Sequence, residues 1–385
     1  MKSLMLKNLI QFIMSKKIKI VTVVGTRPEL IRLSRVINTL EKNTDHTLIH
    51  TGQNYDFELS NIFFKDLSIK KPKYQLKINN KSTIYSITSI INQVDDILRK
   101  ENPDAFLILG DTNSCLSAYA AKRQKIPVFH IEAGNRCYDE RVPEEINRKI
   151  IDHISDINIT YSELAKQNLL RENLDPDKTF KIGSPLDEVC NFYKKKIFQS
   201  KILNKYNLKK NSYYVLSVHR EENVNSKKNL DNLINLLSKL NSRGPEKIVF
   251  SVHPRTIKSL KNFNLKKFDK VLLLKPFSYT DYMNLQMNSK LVLSDSGSIT
   301  EEASILNFSA INLRNTNERQ EGMAHGIAPM VHFDYDKINI LINYLKDNSF
   351  KTPVSDYVCP DFSNIFFKIL ISYIDYIKEN TWKNK

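Results

Sequence analysis

The sequence predicts an α/β protein made of two doubly wound, Rossmann-like domains facing a cleft. Three observations predict it. Short β-branched and aromatic runs alternate with longer helical ones, the mark of parallel βαβ units. The alternation occurs twice, on either side of a charged stretch at residues 193–212 that has no β-rich run. Finally, the chain has only 9 glycines, where average usage of about 7% would give about 27, and nearly all follow expected strands.

In the first half the expected strands are residues 18–24, 46–51, 105–109, 127–131 and 157–161, with helices at 28–43, 83–100 and 143–154. The second half repeats the pattern with strands 213–219, 247–253, 271–277 and 290–295 and a helix at 298–307. Residues 193–212 read as a helical linker, and an amphipathic helix at 363–380 ends the pattern. A length of 385 residues suits two domains of about 150 residues or more. The expected division is an extension at 1–16, a first domain at 17–190, a second at 191–361, and a helix at 362–385 packing back on the first.

Composition excludes several classes. The chain carries 58 basic and 42 acidic residues, a net charge of +16. The lysines are spread along the chain and no nucleic-acid module is present, so a nucleic-acid partner is not expected. An anionic small substrate accounts for the charge more simply. Cys115, Cys137, Cys190 and Cys359 lie far apart, which argues against a disulfide scaffold or a zinc site. No apolar run approaches the roughly 20 residues that span a bilayer. The segment MKSLMLKNLIQFI lacks a cleavage site of the secretory type. The chain therefore reads as cytoplasmic, without membrane insertion.

In doubly wound folds the ligand lies beyond the carboxyl ends of the strands. Gly25, Gly110, Gly134, Gly183 and Gly297 all fall at such ends, and Gly244 alone reads as an ordinary turn. GTRPE (25–29) places Arg27 at a helix start whose N–H groups suit an anion. Asp111 in GDT, Glu132 and Arg136 in HIEAGNR, and Arg141, Glu144 and Arg148 in RVPEEINR follow. Each carboxylate alone also fits a helix cap. Three of them at neighbouring strand ends, interleaved with arginines, suit acid–base chemistry on an anionic substrate. His219 with Arg220, and His253 with Arg255, end two strands of the second half and suit phosphate contact. Ser296, Gly297 and Ser298 open a helix that could cradle a diphosphate, and Glu302 one turn on could accept ribose hydroxyls. A G-x-G-x-x-G fingerprint is absent, which argues against a dinucleotide cofactor.

These motifs together resemble the non-hydrolysing UDP-N-acetylglucosamine 2-epimerase family. The matching runs are GTRPELIRLS, HTGQNYD, GDTNS, HIEAGNR, VPEEINRKIIDHISD, YSE, IGSP, VHREEN, HPR, SDSGSITEE and NERQEG. The resemblance implies the glycosyltransferase-B fold, catalytic roles for Asp111, Glu132, Glu144 and His219, and nucleotide contacts for Arg27, His253, Ser296 and Glu302. Arg319 matches the arginine of the family's NERPE-like segment. It also implies a UDP-sugar substrate, a homodimer, and no cofactor or metal. Three departures stand out: Arg32 where the family has lysine, a short segment between HIEAG and PEE, and Gln320 in place of proline. Arg32, with EAGNRC, ILNF and EGM, resembles a subgroup that converts UDP-N-acetyl-L-talosamine to UDP-N-acetyl-L-fucosamine for capsule or O-antigen. A UDP-N-acetylglucosamine epimerase making UDP-N-acetylmannosamine is the alternative, and a glycosyltransferase of the same fold a further one.

Overall fold

The structure, a computed structural model, describes residues 17–52, 64–78, 81–261, 263–347 and 352–383. The expected extension at 1–16 and residues 53–56 of the HTGQNYD motif lie outside the described residues.

Seven parallel strands form the first sheet: β1 (Lys19–Val24), β2 (Asp45–His50), β3 (Tyr74–Gln75), β4 (Ala105–Leu109), β5 (Val128–Ile131), β6 (Ile157–Thr160) and β7 (Thr179–Lys181). Their order is β3-β2-β1-β4-β5-β6-β7. The second sheet holds β8 (Tyr213–Ser217), β9 (Lys247–Ser251), β10 (Val271–Leu274), β11 (Leu291–Ser294) and β12 (Ala310–Asn312), in the order β10-β9-β8-β11-β12. All pairings in both sheets are parallel. Parallel sheets need helices on both faces, so their strands read as continuous apolar runs. Strand β4, AFLIL, is buried along its whole length for that reason. The two halves thus form the two-domain α/β architecture of the glycosyltransferase-B type.

Helix α1 (Arg27–Asn43) lays Leu30, Leu33, Val36, Ile37 and Leu40 on one face of the first sheet. The helix Thr83–Glu101 covers the other with Ile90, Val94, Ile97 and Leu98. This spacing of three and four residues is the helical period that the sequence shows.

The segment read as a linker is not a solvated connector. Its first part continues α2 (Pro185–Phe198), so residues 190 and 191 lie inside one helix. Tyr193, Ile197, Ile202 and Leu208 are buried. The Tyr193 ring meets Tyr279 of the second half edge-on at 6.1 Å, and its hydroxyl donates to the Leu67 carbonyl of the first at 2.6 Å. One apolar core therefore runs through both halves. The lysines of this stretch point outward and hid the buried positions in the sequence. Strands β3 and β7, of two and three residues, are too short to leave a periodic signal.

The last described helix, α3 (Phe362–Trp382), lies against the first half. Phe366 meets Phe129 of β5 edge-on at 6.3 Å, and Tyr373 meets Phe180 of β7 at 5.2 Å. Phe366 is fully buried. Replacing it by alanine should cost about 3–5 kcal/mol, the range for large-to-small core changes. Urea denaturation followed by circular dichroism checks this; a loss below 1 kcal/mol would mean that the helix is not part of the core.

Candidate active site

Strand order reverses at β1/β4 in the first sheet and at β8/β11 in the second, and crevices open at such points. Gly25–Arg27 and Asp111 follow the first pair of strands. His219 and Asp295 follow the second.

The turn after β1 is tightly built. A Cβ on Gly25 would lie 2.0 Å from Ser114 Oγ and 2.4 Å from Thr51 Oγ1, so only glycine fits. The Gly25 and Thr26 N–H groups donate to Glu29 Oε2 at 2.9 and 2.6 Å, and Thr112 Oγ1 donates to Glu29 Oε1 at 2.9 Å. The anion site expected from these N–H groups is thus occupied by the chain's own carboxylate, in a capping box. Burial pushes the Glu29 carboxyl up to about 7, against the pull of those hydrogen bonds. Arg27 is half-buried beside them.

Asp111 is held by a neighbour. Arg148 donates to Asp111 Oδ2 from Nε at 3.0 Å and Nη2 at 2.7 Å, while its Nη1 donates to Glu145 Oε2 at 2.8 Å. Arg148, expected as a substrate contact, is a buried support for Asp111 instead. Arg136 likewise departs from expectation. Its guanidinium is fully buried, donating to Asp152 at 2.7 Å and to both oxygens of Glu172 at 2.7 Å. HIEAGNR displays it in the sequence as though it faced the rim, and Asp152 and Glu172 lie too far along the chain to reveal the pairing.

Glu132, just beyond β5, has φ of +75°. That left-handed conformation costs a non-glycine residue on the order of 1–3 kcal/mol and is concentrated at functional sites. Its side chain is only 10% exposed. Tyr161 donates to Oε2 at 3.2 Å, and Arg319 Nη2 of the second half donates to Oε1 at 2.8 Å. Glu144 is reached from the second half too, by Arg220 Nη1 at 3.3 Å. Burial raises the Glu144 carboxyl, and the charge of Asp111 adds to the rise.

In the second half, Asp295 is fully buried and organises the strand end. It accepts the backbone N–H of His219 at 3.1 Å and of Arg220 at 3.0 Å, and Asn223 Nδ2 at 3.0 Å. Its Oδ1 lies 3.1 Å from His219 Nδ1. Burial raises the Asp295 carboxyl, but the facing His219 and these donors outweigh it and hold it down to about 2. The His219 ring is 41% exposed, with the His253 ring centroid 6.5 Å away. The side chain of Arg255 lies outside the described residues.

The serine turn precedes helix α4, defined here as Ile299–Leu306. Ser296 Oγ and Ser298 Oγ are 2.9 Å apart, and Ser298 Oγ donates to Glu302 Oε1 at 2.7 Å. Gln286 Nε2 donates to the other Glu302 oxygen at 2.9 Å. A Cβ on Gly297 would meet Glu318 Oε1 at 2.7 Å. Glu318 in turn pairs with Arg314 at 2.7 Å. Although burial opposes it, the arginines Arg314, Arg148 and Arg220 keep Glu318 far below the usual carboxylate range.

The sequence pointed to the rim residues but not to Asp295, Glu301, Arg314 and Glu318, which hold them. Asp295 and Glu301 sit inside SDSGSITEE, one position from residues singled out there; their neighbours in space carry no local pattern. Among the described residues no group of three or more His, Cys, Asp or Glu could hold a metal ion, and no helix is long and apolar enough to cross a membrane.

A folded carboxyl at about 2, against the usual 3.8, stabilises the fold above pH 4 and loses that contribution as pH falls through 2. At 1.36 kcal/mol per unit the contribution is about 2 kcal/mol. The stability gap between wild type and Asp295→Asn should therefore narrow by about 2 kcal/mol from pH 7 to pH 2. Urea titrations at several pH values measure it, and a gap that stays constant would remove Asp295 from the acid response.

Comparison with known proteins agrees with this geometry. The sequence profile of the UDP-N-acetylglucosamine 2-epimerase family matches residues 38–370. A UDP-N-acetylglucosamine 2-epimerase homolog of Methanococcus maripaludis is 40% identical over 329 residues, covering 83% of this chain and 90% of that one. The structure of UDP-N-acetylglucosamine 2-epimerase from Rickettsia bellii superposes with a TM-score of 0.89 at 46% identity, covering 96% of this chain and all of that one. The Methanocaldococcus jannaschii enzyme, in complex with UDP-GlcNAc and UDP, gives 0.86 at 34% identity, with 92% and 100% covered. The chain belongs to the UDP-N-acetylglucosamine 2-epimerase family and is an isomerase.

Proposed function

We propose that the enzyme inverts C2 of a UDP-linked 2-acetamido sugar without hydrolysing it, by eliminating UDP and adding it back. The observation that carries this reading is the contact between the halves at the carboxylates: Arg220 reaches Glu144 at 3.3 Å and Arg319 reaches Glu132 at 2.8 Å. Asp111, Glu132 and Glu144 come from the first half, and His219, His253 and the Ser296–Ser298 turn from the second.

The C2 hydrogen of such a sugar is not acidic, because no carbonyl adjoins it. Departure of UDP with the electron pair of the C1–O bond gives C1 cationic character. A carboxylate then takes the C2 proton, the C2–H pair becomes the C1=C2 bond, and a neutral glycal results. Re-addition of UDP to C1, with protonation of C2 on the opposite face, completes the inversion. The scheme needs proton-transfer groups on both faces of C2, which explains several carboxylates. Asp111 and Glu132 form the pair in this reading, with Glu144 supporting. Arg27, His219, His253 and the start of α4 face the departing diphosphate, where positive ends stabilise developing negative charge. Arg319 lies against Glu132, and Glu302 against Ser298, so the first serves the carboxylate and the second the ribose side. Both sheets press on one site, so closure would retain the glycal.

The names of the relatives support UDP-N-acetylglucosamine as the substrate, whose inversion at C2 gives UDP-N-acetylmannosamine. A second reading, UDP-N-acetyl-L-talosamine to UDP-N-acetyl-L-fucosamine for capsule or O-antigen, rests on Arg32 and on the EAGNRC, ILNF and EGM segments. Arg32 sits within 3.6 Å of Glu132, so this departure from lysine is at the proposed proton-transfer group. A homodimer in the cytoplasm fits either reading.

Three measurements test the proposal. Turnover in deuterium oxide should place solvent deuterium at C2 in the product, seen by NMR; product free of deuterium at C2 would overturn the mechanism. An NMR time course with UDP-N-acetylglucosamine beside a UDP-6-deoxy-L-hexosamine shows which is epimerised, and release of free amino sugar would mean hydrolysis. Asp111→Asn and Glu132→Gln should each lower kcat by about 10²–10⁴-fold, the usual worth of a general acid or base. KM should move little; a rise in KM at unchanged kcat would make them binding groups.

A further inference from the structure

We infer that Glu301, from the second half, is a positioning residue for Glu132, acting through the two arginines that contact both. The inference rests on the reading of Glu132 as a proton-transfer group. Glu301 is fully buried and accepts from Ser184 Oγ at 3.0 Å on one oxygen. The other oxygen accepts from Arg32 Nη2, and from Arg319 Nη2 at 3.2 Å. The same Arg319 Nη2 donates to Glu132 at 2.8 Å, and Arg32 Nε lies 3.6 Å from Glu132. Two guanidinium groups thus bridge two carboxylates across the halves, and the Arg319 guanidinium also lies over the Tyr161 ring, 5.1 Å from its centroid.

The exposures of the two carboxylates differ. Glu132 keeps some access to the site, whereas Glu301 has none. Glu301 can therefore influence the reaction only by fixing the arginines. Its neighbour Glu302 turns to Ser298 and Gln286, about 100° further round the helix. The two glutamates therefore part, Glu302 to Ser298 and Gln286 within the second half and Glu301 to the half-to-half contact. The arrangement completes only when both halves are in place, because Arg32 and Glu132 belong to the first and Arg319 and Glu301 to the second.

Groups facing Glu132 are Arg32, Arg319, Tyr161 and the thiol of Cys115, with Glu301 behind the arginines. Removing the Glu301 charge leaves Arg32 and Arg319 with Glu132 as their one shared carboxylate, and removing the Arg319 charge leaves Glu132 with Arg32. In Glu301→Gln, kcat should fall by about 10–100-fold, as a misplaced catalytic group predicts. KM and UDP affinity by calorimetry should stay within about threefold of wild type, since a positioning role leaves ground-state binding alone. The acid limb of kcat/KM, which reports the free enzyme, should move to lower pH in Glu301→Gln and to higher pH in Arg319→Gln. Arg319→Lys, which keeps the charge but not the fork, should lower kcat with the limb near its wild-type position. Limbs that stay put in the first two variants, or move together, overturn the inference, as does a raised KM at unchanged kcat. Should Glu301→Gln fail to fold, Glu301→Asp, which keeps the charge but shortens its reach to Arg32 and Arg319, takes its place and should lower kcat with KM unmoved; an unchanged kcat overturns the inference. Deuterium at C2 in the wild-type product separates the cases: its absence sinks the mechanism, and its presence with unmoved limbs sinks only the role of Glu301.

Discussion

Four charges are buried together where the halves meet: Arg32, Glu132, Glu301 and Arg319. Moving a single charge out of water costs several kcal/mol even after relaxation, and attraction repays this only when the set is complete. Any one of the four left alone would be an unpaired charge in a dry interior. The half-to-half contact is thus close to all-or-none at this point, and Glu132 is tied to it. The same geometry that makes the interface demanding also fixes the position of Glu132, the proton-transfer group of the proposed reading.

The parallel sheets determine why such a contact lies where it does. Because helices cover both faces of each sheet, polar groups are driven to the strand ends. Two sheets with their reversal points facing each other bring two sets of strand ends together. Asp295 shows how the loops there are held: one buried carboxylate gathers the backbone N–H groups of His219 and Arg220 and the ring of His219. The arrangement is preorganised by neutral donors and one anion rather than by flexible surface contacts.

Much of this was legible in the sequence, for a physical reason. Strand β1 and helix α1 follow from local apolar periods, and the few glycines mark places such as Gly25 where any side chain would collide. Asp111, Glu132 and His219 announced themselves by following those strands. What stayed hidden depends on partners far apart in sequence. Arg136 and Arg148 carry the same local signal as Arg27, yet the first meets Asp152 and Glu172 and the second meets Asp111 and Glu145. Arg32 and Glu301 are 269 positions apart. No periodicity links them. The packing of the helical linker stayed hidden for the opposite reason: its lysines are exposed and conspicuous, while Tyr193 and Ile202 between them are core.

The pairing also changes how the net charge of +16 bears on a doubly anionic leaving group. Within the site, Arg32, Arg148, Arg220, Arg314 and Arg319 each face a carboxylate of the chain itself. Their charge is largely compensated before a nucleotide arrives, so a diphosphate gains less from them than a simple count of arginines suggests. In the proposed reading, binding leans on directed dipoles, at the start of α4 and around His219, which reward a phosphate oxygen at one place and little elsewhere. For an elimination this division is useful. In the proposed reading the carboxylates pair with arginines of the chain itself, while a separate set of donors receives the departing phosphate. If the same cations served both, each UDP that left would disturb the base that its departure requires.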